Sequence, residues 1–278
     1  MTKQQKRRIG IVGYGKLGAF LADKISHNTQ SLELAFVWNR DKKAIDGKFS
    51  EQIRLRELKN FRDKKPDLIV EVAHPIITQK WGQDFLSYCD YMVGSPTAFA
   101  NLDTENQMRA LAVKPNGNGL YIPRGALPGL EEVLRMKSAG KLKQSTITMK
   151  KHPSSLKYSG PLTTPLAETK SQRVVYSGPL RDLCHFAPNN VNTMAVLAMA
   201  SEIGFDGITA TLIADPTLQH HITEVVLYGP NSGGPRYSLS LVRNSPAGVG
   251  AVTSTATLTT FLNSMITARD RGNGVHFC

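Results

Sequence analysis

The sequence predicts an α/β chain: a doubly wound parallel sheet at the N-terminus, followed by a second α+β domain with an open mixed sheet. Three observations carry that expectation. A β-branched run ending at Val12 leads directly into Gly13-Tyr14-Gly15-Lys16-Leu17-Gly18 and then an apolar helical stretch. The first half of the chain alternates short apolar runs with helical patterns, the rhythm of βαβ units. Beyond Ala126 the strand-like runs follow one another almost without helices between them, which favours a mixed or antiparallel sheet.

Taken in order, strands are expected at Arg8–Val12, Leu32–Trp38, Asp67–Val72, Tyr91–Val93 and Leu120–Ile122, where β-branched and aromatic residues cluster. Helices are expected between them at Leu17–Ser26, Ile76–Tyr88 and Asp103–Ala112. The stretch Ala44–Arg62 is polar and poorly periodic. A helix over Gly129–Ala139 opens the second domain. It precedes strands at Ser145–Lys150, Arg173–Ser177, Ile208–Ala214, Ile222–Leu227 and Tyr237–Val242, interrupted by one helix at Asn192–Ile203. Val252–Thr267 is rich in Thr and Ala yet spaced like a helix. These runs divide the chain into residues 1–126, a dinucleotide-binding domain; 127–250, a substrate and dimerisation domain; and 251–278, a closing helix returning to the first domain.

Composition narrows the function classes. The chain has 278 residues, 34 Lys+Arg against 22 Asp+Glu, and a formal charge of +12. The basic residues are dispersed, with no basic helix and no aromatic-basic signature, so nucleic acid is not the expected partner. An anionic substrate and a phosphate-bearing cofactor make better use of such a field. No run approaches the roughly 18 apolar residues of a membrane span. The basic start, MTKQQKRR, lacks the apolar region of a secretory signal. Cys89, Cys184 and Cys278 form neither a paired framework nor a CxxC, which fits a reducing, cytosolic compartment, and no metal is expected.

The glycine motif is the fingerprint of a dinucleotide-binding Rossmann domain, because it follows a strand and opens a helix. Gly13 permits the tight turn, Gly15 lets a pyrophosphate approach the backbone, and Gly18 lets the helix pack close to the strand. Lys16 and Leu17 supply amides at the helix start, where anions bind. Strict NAD sites carry an acid at the end of the second strand; here that place holds Asn39, followed by Arg40, whose guanidinium can fork onto a 2′-phosphate. A solvated loop charge at Arg40 reads the same, and Asp41 can still turn toward a ribose. NADP or dual use is therefore favoured over strict NAD. Ala73, His74 and Pro75 end the next strand, on the rim where open α/β sheets bind ligands. His74 either faces the nicotinamide half of the cofactor or caps the helix that follows.

The combination GYGKLG, FVWNRD, EVAHP, VGSPTA, RGALPG, FAPNNVNTM and ADPTLQHHITEVVLYGP resembles the aspartate dehydrogenase family, its animal members in particular. The resemblance runs through essentially the whole chain, and FAPNNVNTM and HHITEVVLYGP are its most specific parts. It implies that Ala126 of RGALPG and the pair Asn190 and Asn192 contact the cofactor, with Asn192 also suited to capping the following helix. It implies that His221 is the catalytic base, with His220 as the alternative. Bacterial members space their Asn-x-His differently, and that spacing falls on Thr223. The implied reaction is NAD(P)-dependent oxidative deamination of L-aspartate through iminosuccinate, an intermediate that also leads toward nicotinamide biosynthesis, by a homodimer.

Candidates for binding the substrate carboxylates are Lys150, Lys151, His152, Ser154 and Ser155. Two other readings stand beside this one. The chain is a homoserine or polyol dehydrogenase, which would call for a Lys–Asp or Lys–Lys pair, or it is a dinucleotide-dependent sensor without turnover.

Overall fold

The structure is a computed structural model that describes residues 6–28, 31–231 and 233–278. Met1–Gln5 of the basic N-terminal stretch lie outside the described residues. The chain divides into two compact units, one made of Met1–Pro123 and Phe261–Cys278, the other of Arg124–Thr260.

The first unit begins as the sequence predicts. It runs β1 (Arg7–Val12), α1 (Lys16–Asn28), β2 (Leu32–Trp38), β3 (Leu68–Glu71), α2 (Pro75–Tyr88), β4 (Asp90–Val93), α3 (Leu102–Ala112) and β5 (Gly119–Ile122). Each helix has a local reason to start where it does. Pro75 occupies the first turn of α2, where its missing N–H costs nothing, behind a His74 cap. The Asn101 side chain caps α3 by accepting from Thr104 N–H at 2.8 Å, and Asp103 and Glu105 complement the positive end of the helix. The aperiodic 44–62 stretch forms short turns and one bridge, Val37 to Arg54, which runs parallel along the outer edge of β2. That bridge occupies the place of a further strand without becoming one.

The second unit contains α4 (Leu130–Ser138), β6 (Gln144–Lys151), β7 (Arg173–Pro179), α5 (Leu180–Phe186), α6 (Asn192–Ser201), α7 (Gly204–Gly207), β8 (Thr209–Ala214), β9 (His220–Tyr228) and β10 (Ser238–Pro246). Its five strands lie in the order β10-β9-β6-β8-β7. Only β6 and β8 are parallel, so the sheet is mixed. Burial alternates strictly along β6 and β9. Ser145, Ile147, Met149 and Lys151 share the buried face with His221, Thr223, Val225 and Leu227. Residues Thr193–Ser201 of α6 are buried all round, as expected of a helix without a polar stripe. The helices α5 and α7 are not anticipated by the sequence reading, being short runs too brief to show a period.

The chain closes with α8 (Thr255–Thr267) and β11 (Gly274–Phe277). Phe261, Met265 and Ala268 join Ile9, Ile11, Leu21, Val70 and Tyr121 in the core of the first unit. The strand β11 pairs parallel with β5 and completes a six-stranded sheet, β11-β5-β4-β3-β1-β2. The sequence reading placed only a helix in 251–278; a four-residue strand containing His276 is too short and too polar to stand out. Because β1 sits between β2 and β3, the chain leaves β1 toward one side and crosses back to the other. The carboxyl ends of β1 and β3 thus flank the topological switch point, the ligand crevice of such sheets.

Candidate functional site

On the first unit the three glycines divide their labour. Gly13 leaves β1 at φ +114°, and a Cβ there would lie 2.8 Å from the Ala73 nitrogen. At Gly18 a Cβ would lie 2.0 Å from the Gly13 carbonyl oxygen, so helix and strand close only on a glycine. Gly15 differs, because a Cβ there meets nothing within 4 Å. The protein's own packing gives no reason for glycine at this position; a ligand pressed against the backbone does. The first bond of the helix ladder runs from Ala19 N–H to the Gly15 carbonyl at 2.9 Å. The amides of Lys16, Leu17 and Gly18 therefore precede the ladder, and the first turn carries no acid. These residues fit a dinucleotide pyrophosphate.

At the end of β2, Asn39 accepts from Tyr14 N–H at 2.9 Å and donates to the Asp41 carbonyl at 3.0 Å. Its amide pins the glycine turn. Asp41 accepts from Lys43 N–H at 3.0 Å and caps the turn that follows, which accounts for its carboxylate without a ribose. Arg40 is exposed and has no hydrogen-bond or ion-pair partner among the described residues. It nevertheless reaches the rim: burial and the Arg40 charge together hold the His74 imidazole below its ordinary range. The His74 Nδ1 accepts from Ile76 N–H at 3.2 Å, so the helix-capping role is the one the geometry displays.

Glu71, the last residue of β3, is fully buried and joins this rim together. One carboxylate oxygen accepts from Ala73 and His74 N–H at 2.7 and 2.8 Å and from Ser95 Oγ at 3.1 Å. The other accepts from Ser95 N–H at 3.0 Å. Burial pushes its pKa up to about 7, against the pull of these four donors. Sequence reasoning passed over Glu71 as a site residue. The available signal was an acid inside the apolar run Leu68–Val72, since buried acids are rare without donors arranged for them.

The second unit holds a separate basic cluster. Lys151 is 3% exposed, and its Nζ donates to the Asn190 carbonyl at 3.1 Å. Burial lowers its pKa to about 8. On β9, one step beyond the Lys150–Ile222 pair, His221 lies across from Lys151 on the same buried face. The His221 imidazole is 8% exposed, and its Nε2 is buried without a hydrogen-bond partner among the described residues. Burial and the Lys151 charge lower its pKa to about 4, while a main-chain hydrogen bond at Ala251 acts the other way. At neutral pH the ring is uncharged and its Nε2 is open to accept a proton. His220, one residue earlier, is on the opposite, exposed side.

Asn190 organises this cluster through its side chain. Its Oδ1 accepts from Lys157 N–H at 2.7 Å and its Nδ2 donates to the Ser155 carbonyl at 2.8 Å, so both ends are engaged within the unit. Asn192 is the first residue of α6, with Val191 in the capping position, so the expected Asn192 cap is displaced by one residue. Of the other candidates, Lys150 turns to the opposite face and pairs with Glu224 at 2.7 Å. His152 and Ser154 bond each other at 2.7 Å. The Ser155 hydroxyl is buried without a partner among the described residues. Ala126 sits half-buried in the turn closed by Leu127 N–H to the Arg124 carbonyl, 3.0 Å, inside the second unit.

Comparison with known proteins identifies the two halves. Residues 13–123 match the model for the homoserine dehydrogenase NAD-binding domain, and residues 132–264 match that for the aspartate dehydrogenase C-terminal domain. The chain is 42% identical to an aspartate dehydrogenase domain-containing protein of Xenopus tropicalis, with all of both chains covered. It is 30% identical to an L-aspartate dehydrogenase of Methanococcoides burtonii, covering 80% of this chain and 83% of that one. The chain belongs to the aspartate dehydrogenase family. The fold agrees: a crystal structure of aspartate dehydrogenase from Thermotoga maritima superposes with a TM-score of 0.68 at 20% identity, covering 96% of this chain and 98% of that one.

As a member of the aspartate dehydrogenase family, the chain has a nicotinamide-dinucleotide domain in its first unit and carries His221 in the family's C-terminal domain. Thr223, where the bacterial spacing falls, is buried on the same face two residues further along β9. Among the described residues, no helix is long and apolar enough to cross a membrane.

Proposed function

We propose that the chain is an NAD(P)-dependent L-aspartate dehydrogenase. It oxidises L-aspartate to iminosuccinate, which water converts to oxaloacetate and ammonia, or it runs the reverse amination. The observation that carries this reading is the His221–Lys151 pair: a neutral imidazole with an open Nε2 beside a buried ammonium that has no acidic partner among the described residues.

A dinucleotide held at the Gly13–Gly18 turn would supply a nicotinamide as acceptor for the hydride of the substrate Cα. The residues of the chain do the rest. Lys151 holds a substrate carboxylate by charge-assisted hydrogen bonding. Its neutralisation lifts the depression it imposes on His221, whose Nε2 then takes the amine proton and later deprotonates the water that attacks the imine. Asn190 keeps Lys151 in place through its carbonyl and keeps the Ser155–Lys157 turn closed with its side chain. A Lys–Asp arrangement of the homoserine or polyol kind would need an acid beside Lys151. The sensor reading draws on Thr223, which carries no base at the bacterial position.

Initial rates of NADP and NAD reduction, with L-aspartate, homoserine and a polyol offered in turn, test the assignment. Turnover with aspartate alone supports it. Dinucleotide binding without turnover on any of them favours the sensor.

Cofactor choice follows Arg40, a guanidinium without a partner among the described residues, directly after Asn39 at the place where NAD-specific sites carry an acid; we propose NADP or dual use. Arg40→Ala is expected to weaken NADP by about tenfold or more, the scale of one lost charge-assisted contact, and NAD by less than about twofold. Equal weakening of both, measured by fluorescence titration, would remove Arg40 from the site.

The Lys151 assignment makes a pH prediction. Its cation is present below about 8 and is lost as pH rises through that value. Affinity for a competitive dicarboxylate such as succinate should therefore fall by up to about tenfold per pH unit above that point. Lys151→Arg should move the limb out of range, because a guanidinium does not titrate there. An unchanged limb in that variant would assign it to another group. Finally, the open face of the second sheet carries Val242 at 61% exposure, and we assign it to a homodimer in the cytosol.

A further inference from the structure

Arg243 lies on the buried face of β10, across from Thr223 and two positions from Ser245, which pairs with His221. It is therefore a diagonal neighbour of His221 across the antiparallel ladder, within reach of a shared small ligand. Its Nε donates to Ser245 Oγ at 3.1 Å and its Nη1 to the Gly125 carbonyl at 3.4 Å. That second contact brings it against the 124–127 turn, whose first residue is Arg124. Arg243 thus lies near enough to Arg124 to feel its charge: burial first, and the Arg124 charge second, press the Arg243 pKa downward.

Some arginines elsewhere are matched by acids, as in Arg8 with Glu33 at 2.7 Å and Arg181 with Asp206 at 2.7 Å, while others, such as Arg40 on the surface and Arg173 on carbonyl oxygens, are not matched among the described residues. Neither Arg124 nor Arg243 has an acidic partner among the described residues, and the remaining Nη hydrogens of Arg243 have no acceptor there. Holding a half-buried guanidinium beside a second like charge is unfavourable without an anion. The turn is open on this side: Gly125 adopts φ +56°, and a Cβ there would meet nothing within 4 Å. Its carbonyl is held by Arg243 and by Thr260 Oγ1 at 3.3 Å.

We propose that Arg243, assisted by Arg124, is a carboxylate subsite that selects a dicarboxylic over a monocarboxylic amino acid. Lys151 and His221 take the carboxylate and amine at the reacting carbon, and the arginine fork takes the second carboxylate. This rests on the aspartate reading for its place in catalysis, but the anion site itself does not depend on turnover.

The test pairs a binding readout with a kinetic one on the full chain. In calorimetry with NADP present, Arg243→Met is expected to weaken succinate about 30-fold or more while changing propionate less than about threefold, because only the second carboxylate is lost. Arg124→Gln should weaken succinate about threefold to tenfold, as befits the exposed partner. In kinetics, kcat/KM for aspartate should fall about 100-fold in Arg243→Met, with that for alanine little changed. Should the methionine variant not fold by thermal melting, Arg243→Lys decides, since losing the planar fork while keeping the charge should cost about tenfold for succinate. Wild-type binding of succinate retained in a folded Arg243→Met, or in Arg243→Lys where only that variant folds, overturns the subsite. If wild type binds succinate through Arg243 yet oxidises no aspartate, the activity fails and the subsite stands. If it oxidises aspartate equally well without Arg243, the subsite fails and the activity stands.

Discussion

His221→Ala should lower the turnover of aspartate by about 100- to 10,000-fold, the usual weight of a positioned general base, while leaving NADP affinity within about twofold. The separation is expected because His221 and the glycine loop belong to different compact units. It also follows from what His221 contacts. Its ring is buried beside Lys151 and hydrogen-bonded at Ala251, and its Nε2 carries no structural bond whose loss would disturb the sheet. Steady-state rates with NADP, together with fluorescence titration of NADPH, measure both quantities. A fully active alanine variant would assign the base elsewhere, with His220 and Lys151 as the next residues to replace. His220→Ala, on the exposed side of β9, should leave the rate within about threefold, as expected of a surface change that touches no reacting group.

Gly15→Val should behave in the opposite way. Its Cβ would meet no side chain or non-neighbouring backbone within 4 Å, so thermal stability should change by less than about 1 kcal/mol. The same methyl groups fill the place where the backbone would meet a pyrophosphate, and dinucleotide affinity should fall by about 100-fold or more. Gly18→Val supplies the contrast. A Cβ 2.0 Å from the Gly13 carbonyl forces helix and strand apart, so that variant should lose the fold along with the cofactor. Calorimetric melting and NADPH titration of the two variants distinguish a binding glycine from a packing glycine. Equal stability losses in both would remove the argument that Gly15 is kept for a ligand.

Much of the first unit was legible because its signals are local. A glycine that must adopt positive φ, a Pro at a helix start and an Asn cap each act within a few residues, and their positions mark the element boundaries. The strand read at Ile222–Leu227 is present as part of β9, and it is the alternation of burial along HHITEVVLY in the structure that sends His221 inward and His220 outward. What was not legible depends on partners distant in sequence. Glu71 has local donors in Ala73 and His74, but its other carboxylate oxygen is satisfied by Ser95, which lies 24 residues away. Asn190 was expected as a cofactor contact, whereas its side chain spans Ser155 and Lys157, 35 and 33 residues away. Lys150 and Lys151 are indistinguishable as adjacent letters, yet the pleat gives one to Glu224 and the other to the buried cluster. Arg243 and Arg124 are 119 residues apart by number and are joined only by the fold.

The reaction itself can be followed atom by atom. With L-aspartate carrying deuterium at Cα and NADP as acceptor, the product NADPH should carry that deuterium at the nicotinamide C4 and oxaloacetate should appear in equal amount. Reduction that proceeds without the label, or saturating NADP binding with no reduction at all, would contradict the assignment of this chain as an aspartate dehydrogenase.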